Sequence, residues 1–147
     1  MKTPKIDISK LLKQLDSFGE DGKRYAVAVT DMTARDISTK AQSRSPVDLG
    51  QLRQSIGYTK PTIQINRSLI YANAPYAAYV NFGTGGLVSI PKGFEELAAQ
   101  FKGKGIKQIN LPARPFLTSS YIEEAAEYPK RLTAAIQKLT KEYNNKK

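Results

Sequence analysis

The stretch PYAAYVNFGTGGL, residues 75–87, crowds three aromatics and three glycines into thirteen positions. If Gly83-Thr84-Gly85-Gly86 cradled a phosphate, the chain would be a nucleotide-binding protein or an enzyme. A P-loop requires G-x-x-x-x-G-K-[ST], with the lysine on the phosphates. Here the next lysine is Lys92. A dinucleotide turn requires a strand before the glycines and a helix after them. Here YAAYVNF precedes and LVSI follows. The glycines therefore read as a sharp turn. They close a short helical segment, Tyr76 to Phe82, that opens at Pro75 and buries Tyr79, Val80 or Phe82. Function then falls to surfaces.

Moving toward the N-terminus, SLIYANA (residues 68–74) reads as a strand. TIQIN places Ile63 and Ile65 on one face and Thr62, Gln64 and Asn66 on the other, the pattern of a half-buried strand. A further strand spans Ile56 to Thr59, with Pro61 as the turn between. Upstream, Ala26, Val29, Thr33, Ile37 and Ala41 form a narrow apolar stripe on a long helix over about residues 21–43. Pro46 stops it and pushes Ser45 out of the helical region. A short helix carries Ile8, Leu11, Leu12 and Leu15, with Asp7 or Ser9 as cap and Gly19 as terminator.

Toward the C-terminus, residues 84–110 read as a glycine-hinged insert carrying one short helix, with Phe94, Leu97, Ala98 and Phe101 at helical spacing. QINLPA resumes an extended pattern, with Ile109, Leu111 and Ala113 on one face. Ile122, Ala125, Leu132, Ile136, Leu139 and Tyr143 trace a final helix. Ser120 and Glu123 have the spacing of a capping box. Pro129 removes one helical hydrogen bond and predicts a kink or break near Tyr128. Residues 144–147 form a frayed basic tail. The expected architecture is α+β, a single domain over 1–147. A small, mostly antiparallel sheet packs against a long N-terminal helix and a kinked C-terminal helix.

The chain of 147 residues contains no Cys, no His and no Trp. That excludes disulfides, thiolate metal sites and the usual general base. No apolar run reaches membrane-spanning length, and the N-terminus lacks an apolar signal core. Ser43, Ser45, Ser55 and Ser68 lack a nucleophile-elbow context. Glu95-Glu96 and Glu123-Glu124 are neighbours in sequence and read as solvated helix faces. The expectation is a protein that is not an enzyme, with no cofactor, metal or small-molecule substrate. A net charge of +10 points to nucleic acid or an acidic protein surface, or to no more than a lysine-rich exterior. Tyr71, Tyr76 and Tyr79 could stack single-stranded bases. Beside Ala and Val, packing is the preferred reading.

Three segments, SPVDLGQLRQSI (residues 45–56), YANAPYAAYVNFGTG (71–85) and ARPFL (113–117), occur in this order with a helix before and a helix after. Together they resemble the neck and tail-completion proteins of tailed bacteriophages, a head–tail joining family of minor virion components. Asn81 stands where the family pattern would place Glu, and Leu49 where it would place Thr. The resemblance implies structural roles for Pro46, Asp48, Gly50 and Leu52, where the chain is re-aimed from helix to sheet. It implies the same for Tyr76, Tyr79, Phe82 and Gly83, and for Pro115 and Phe116, which anchor the last helix. Arg53, Arg114, Phe94, Leu97 and Phe101 are candidate interface residues. The implied assembly is a ring of copies, six-fold or twelve-fold, in the virion neck or tail. It would join the DNA-filled head to the tail after assembly in the host cytoplasm. Its implied neighbours are portal, adaptor or stopper proteins on one side and tail-tube or terminator proteins on the other, with non-specific contact to genomic DNA in the channel. The competing readings are a stand-alone basic nucleic-acid-binding protein and, more remotely, a hydrolase.

Overall fold

The computed structural model describes residues 6–47, 50–83, 90–99 and 112–146. In chain order the elements are α1 (Ser9–Asp16), α2 (Glu20–Arg44), α3 (Gln51–Ser55), β1 (Ile56–Tyr58), β2 (Ile70–Ala72), α4 (Ala77–Phe82), α5 (Glu95–Ala99) and α6 (Phe116–Asn145). Among the described residues the fold is mostly helical, with one two-stranded antiparallel sheet. Its spine is the long pair α2 and α6, packed along each other.

The stripe on α2 is narrow and rich in small residues. Ala26, Val29, Thr33, Ile37 and Ala41 are all buried, and small side chains let α6 approach closely. Leu132 and Leu139 of α6 fill the space opposite, together with Leu15 of α1. Gly22 marks where α1 and α2 meet. A Cβ there would stand 1.7 Å from the Leu15 carbonyl oxygen. Gly19, at φ 69°, supplies the left-handed residue that turns one helix into the next. Asp7 accepts the Ser9 N–H at 3.2 Å and the Ser9 hydroxyl at 2.8 Å, and these bonds hold its carboxyl below the usual range.

α6 begins at Phe116, earlier than the Ser120–Glu123 spacing implies. Ser120 lies one turn inside the helix, fully buried, and its hydroxyl donates to the Phe116 carbonyl at 2.6 Å. The capping-box reading is therefore corrected. The helix also continues through Pro129 without a break. The proline withholds an N–H from the Ala125 carbonyl, but Tyr128 and Leu132 on either side of it pack into the α2 face. Tyr128 bonds the Thr30 hydroxyl, and burial raises its phenol above the ordinary value.

The sheet is smaller than the sequence pattern suggests. β1 pairs with β2 in the register Ile56↔Ala72, Gly57↔Tyr71, Tyr58↔Ile70. Tyr71 lies over Gly57, where a Cβ would come within 2.7 Å of the phenol oxygen. TIQIN forms no strand. It is part of the loop joining β1 to β2, closed by Thr62 N–H on the Ile65 carbonyl at 2.9 Å and by Ile65 N–H on Thr62 Oγ1 at 3.0 Å. Ile63 and Ile65 are exposed. Among the described residues, no helix is long and apolar enough to cross a membrane.

Candidate assembly surface

Segments far apart in sequence meet at one end of the α2–α6 pair. α2 ends at Arg44, and Ser45 adopts the extended conformation that Pro46 demands, at ψ 143°. Gly50 then takes φ 68° and starts α3, which drops Leu52 into the core. Leu52 joins Ala41, Ile56, Ala77 and Phe116 in one buried cluster, with Val80 and Leu117 against it. Leu52, Ala77 and Phe116 come from the three separate motif segments, so the motifs share one packing centre.

Two polar contacts lock this junction. The Arg114 N–H donates to the Val80 carbonyl at 2.9 Å, joining the approach to α6 to the middle of α4. The buried Asn81 side chain reaches the start of α6. Its Oδ1 accepts the N–H groups of Leu117 at 3.0 Å and Thr118 at 3.2 Å. A helix leaves its first N–H groups without internal partners, and Pro115 at the N-cap has no side-chain acceptor to offer. Asn81 supplies the cap from another element. The sequence shows only that Asn stands where the resemblance would place Glu; either residue offers the acceptor oxygen that this helix start needs.

The remaining motif residues divide by environment. Phe82 is buried, and Gly83 follows it at φ 74° with its N–H on the Tyr79 carbonyl at 2.8 Å. Tyr76 and Tyr79 instead keep about 37% and 38% of their surface exposed. Of Tyr79, Val80 and Phe82, the short helix fully buries Phe82 alone, because α4 presents its Ala77–Asn81–Phe82 side to the core. Pro115 is exposed at the α6 start. Asp48, Phe101, the Thr84–Gly86 stretch, Ile109 and Leu111 lie outside the described residues.

Arg53 donates from Nε to the Gln42 carbonyl at 3.0 Å, tying α3 to the end of α2 within its own subunit. Arg114 keeps an exposed side chain that forms no ion pair among the described residues. Phe94 is buried by its own chain, in a cluster with Phe82 and Ala98, and Tyr121 meets its ring edge-on at 6.0 Å between centroids. Phe94 and Ala98 are thus covered from within, and Phe94 is removed from the free surface. Leu97 is half-buried beside it. Between α5, β2, α4 and the start of α6 lies an apolar groove of about 390 Å³, walled by Tyr71, Phe82, Phe94, Leu97 and Tyr121. Burial raises the Tyr121 phenol above its ordinary value.

Of the Glu123-Glu124 pair, Glu123 is exposed as a solvated face would have it, and Glu124 is not. Glu124 is 5% exposed and lies between Lys40 of α2 and Arg131 of α6, the latter at 2.8 Å. Arg131 also pairs with Asp36 at 3.0 Å, and Arg44 with Glu123 at 2.8 Å. The hydrogen bond from Lys40 holds the Glu124 carboxyl below the usual carboxylate range, and Arg131 adds to it. Adjacent acids on a helix diverge, yet both meet α2 here because Lys40 and Arg44, one turn apart, reach them along the seam. Among the described residues no group of three His, Cys, Asp or Glu side chains could hold a metal ion.

What this geometry presents is a rigid junction of motif segments with apolar surface beside it. Residues 9–83, about half of the chain, match the family described as "Bacteriophage HK97-gp10, putative tail-component". The chain belongs to this HK97-gp10-like family of phage tail components. No curated protein and no solved structure matches it.

Proposed function

We propose that the protein is a structural, non-catalytic component of a tailed-phage virion. It forms a ring, six-fold or twelve-fold, at the neck or the head-proximal end of the tail, and joins the DNA-filled head to the tail. Membership in the tail-component family over residues 9–83 carries this reading. The junction supports it, because a subunit that works by contact needs its surfaces held on a rigid scaffold. The net charge of +10 suits a subunit near packaged DNA.

The test is a phage whose gene for this chain is interrupted. It should accumulate filled heads and separate tails, and purified protein should restore joined particles. Tailed, infectious particles lacking the chain would overturn the proposal. The exposed Arg114 provides a finer probe: Arg114→Ala should lower the yield of joined particles while leaving the melting temperature of the subunit within about 1 °C, as expected for a surface change. A monomer that shifts duplex DNA at physiological salt, with no ring by native mass spectrometry, would favour the stand-alone nucleic-acid-binding reading.

A further inference from the structure

The chain carries two unlike surfaces that fit each other. The first is the tip of the β1–β2 hairpin. Ile63 and Ile65 keep 41% and 66% of their surface exposed, an unusual state for isoleucine. Lys60 and Arg67 flank them, both exposed, and residues 59–69 contain no acid. The tip is ordered, closed by the Thr62–Ile65 bonds and by Thr59 N–H on the Leu69 carbonyl at 2.9 Å. Such a segment loses little conformational freedom on docking. The sheet behind it packs on α2 and α3, with Ile56 buried, which fixes the base of the tip.

The second surface is the groove. Its wall is mostly apolar, and Asn81 Oδ1 is engaged by the Thr118 N–H. The wall therefore asks for an apolar occupant. Along it runs α5 with Glu95 and Glu96 exposed. The tip is apolar and basic; beside the apolar groove, α5 carries the two exposed carboxylates, with Lys92 exposed just ahead of them.

We propose that the hairpin tip of one copy seats in the groove of the next copy, with Ile63 and Ile65 against Leu97 and Tyr71 and with Lys60 and Arg67 facing Glu95 and Glu96. The contact joins unlike patches, and a heterologous contact repeats from copy to copy until it closes a ring. The location of the contact rests on the ring reading above and deepens it.

The absence of native cysteine makes disulfide trapping clean. Ile65→Cys and Leu97→Cys are prepared as separate proteins, checked for an unchanged circular dichroism spectrum, mixed and oxidised. The mixture should yield covalent dimers linked between positions 65 and 97, about tenfold above either variant alone. Ile65→Asp, at an exposed position, should raise the concentration needed for half-assembly about tenfold or more. Lys60→Glu should weaken assembly, and Glu96→Lys in the same chain should restore it. A wild-type ring by native mass spectrometry, without the 65–97 bond and without sensitivity to Ile65→Asp, would overturn the docking while the ring survives. No oligomer at any concentration would overturn both. Efficient dimers of Ile65→Cys alone, linked 65–65, would show a reciprocal contact and refute the tip-in-groove arrangement.

Discussion

Alanine in place of glycine inside a helix ordinarily stabilises a protein by up to about 1 kcal/mol, so Gly22→Ala tests the packing of α1 on α2 through its sign. The added Cβ would lie 1.7 Å from the Leu15 carbonyl oxygen, 2.7 Å from its carbon and 3.2 Å from Phe18 Cβ. The first two contacts are backbone, which cannot swing aside. Reaching ordinary van der Waals separation requires α1 to retreat by about 1.5 Å or more. Leu15, at 0% exposure, would then withdraw from Ala26, Val29, Leu132 and Leu139. Overpacking of this kind costs about 3 kcal/mol at the upper end of its range. Less the helical gain, a net loss of about 2 kcal/mol remains. For a chain of this length that lowers the melting temperature by about 6 °C. Thermal and urea unfolding followed by circular dichroism would measure it. Gly19→Ala is the companion variant: no atom lies within 4 Å of its added Cβ, so its loss of about 1 kcal/mol would come from φ 69° alone. A Gly22→Ala protein that melts higher than the parent would refute the close approach of the two helices.

Glu124→Gln keeps the side chain's size but leaves Lys40 and Arg131 without their shared anion, and should cost about 1–2 kcal/mol at pH 7, less than a fully buried pair because both cations are partly exposed. Since the Glu124 carboxyl is depressed when folded, its stabilisation is present above the unfolded value near 4.5 and fades as pH falls through the lower folded value. The gap between parent and variant should therefore close in acid, and a gap independent of pH would exclude the charge as its cause. Asn81→Ala should cost about 1–2 kcal/mol by uncapping α6, whereas Asn81→Asp should retain most of the stability, since it still offers an acceptor to the helix start; equal losses in urea titrations would show that the cap contributes nothing. Gly83→Val forces a β-branched residue to φ 74° at a buried position and should cost about 2 kcal/mol or more, read as lower soluble yield and melting temperature.

The long elements were legible because their signals are repeated many times. The α2 stripe and the Leu132–Ile136–Leu139 run each show several turns of one period, and both fall in the α2–α6 seam. The turn at Pro46 and Gly50 was legible because proline and glycine constrain their own backbone. Pairings across the fold were not. Glu124 looks like any surface acid until Lys40 and Arg131 are placed beside it, and Asn81 looks like a helix residue until α6 begins next to it. Ser120 illustrates the reverse error: a local capping pattern matched, but Phe116 and Leu117 had already been drawn into the core, so the helix began a turn earlier.

TIQIN is where the sequence and the structure differ most instructively. Alternation of Ile63 and Ile65 with polar residues predicts a strand with one face covered. In the subunit that face is open and the segment is a loop tip. Periodicity reports that a face is apolar, not which chain covers it. A protein that folds alone would gain by replacing these isoleucines with polar residues, since Ile65 contributes little burial to its own core. In a protein built to assemble, the same two side chains are an incomplete core whose other half lies on another molecule. On the docking proposed above, the pattern describes the assembled state, and the exposed tip is its uncovered half. Ile63→Ser with Ile65→Ser separates the two cases: it should leave the subunit's melting temperature within about 1 °C, because neither side chain is buried, while abolishing assembly. A loss of several degrees in the isolated subunit would place those residues in the intramolecular core instead.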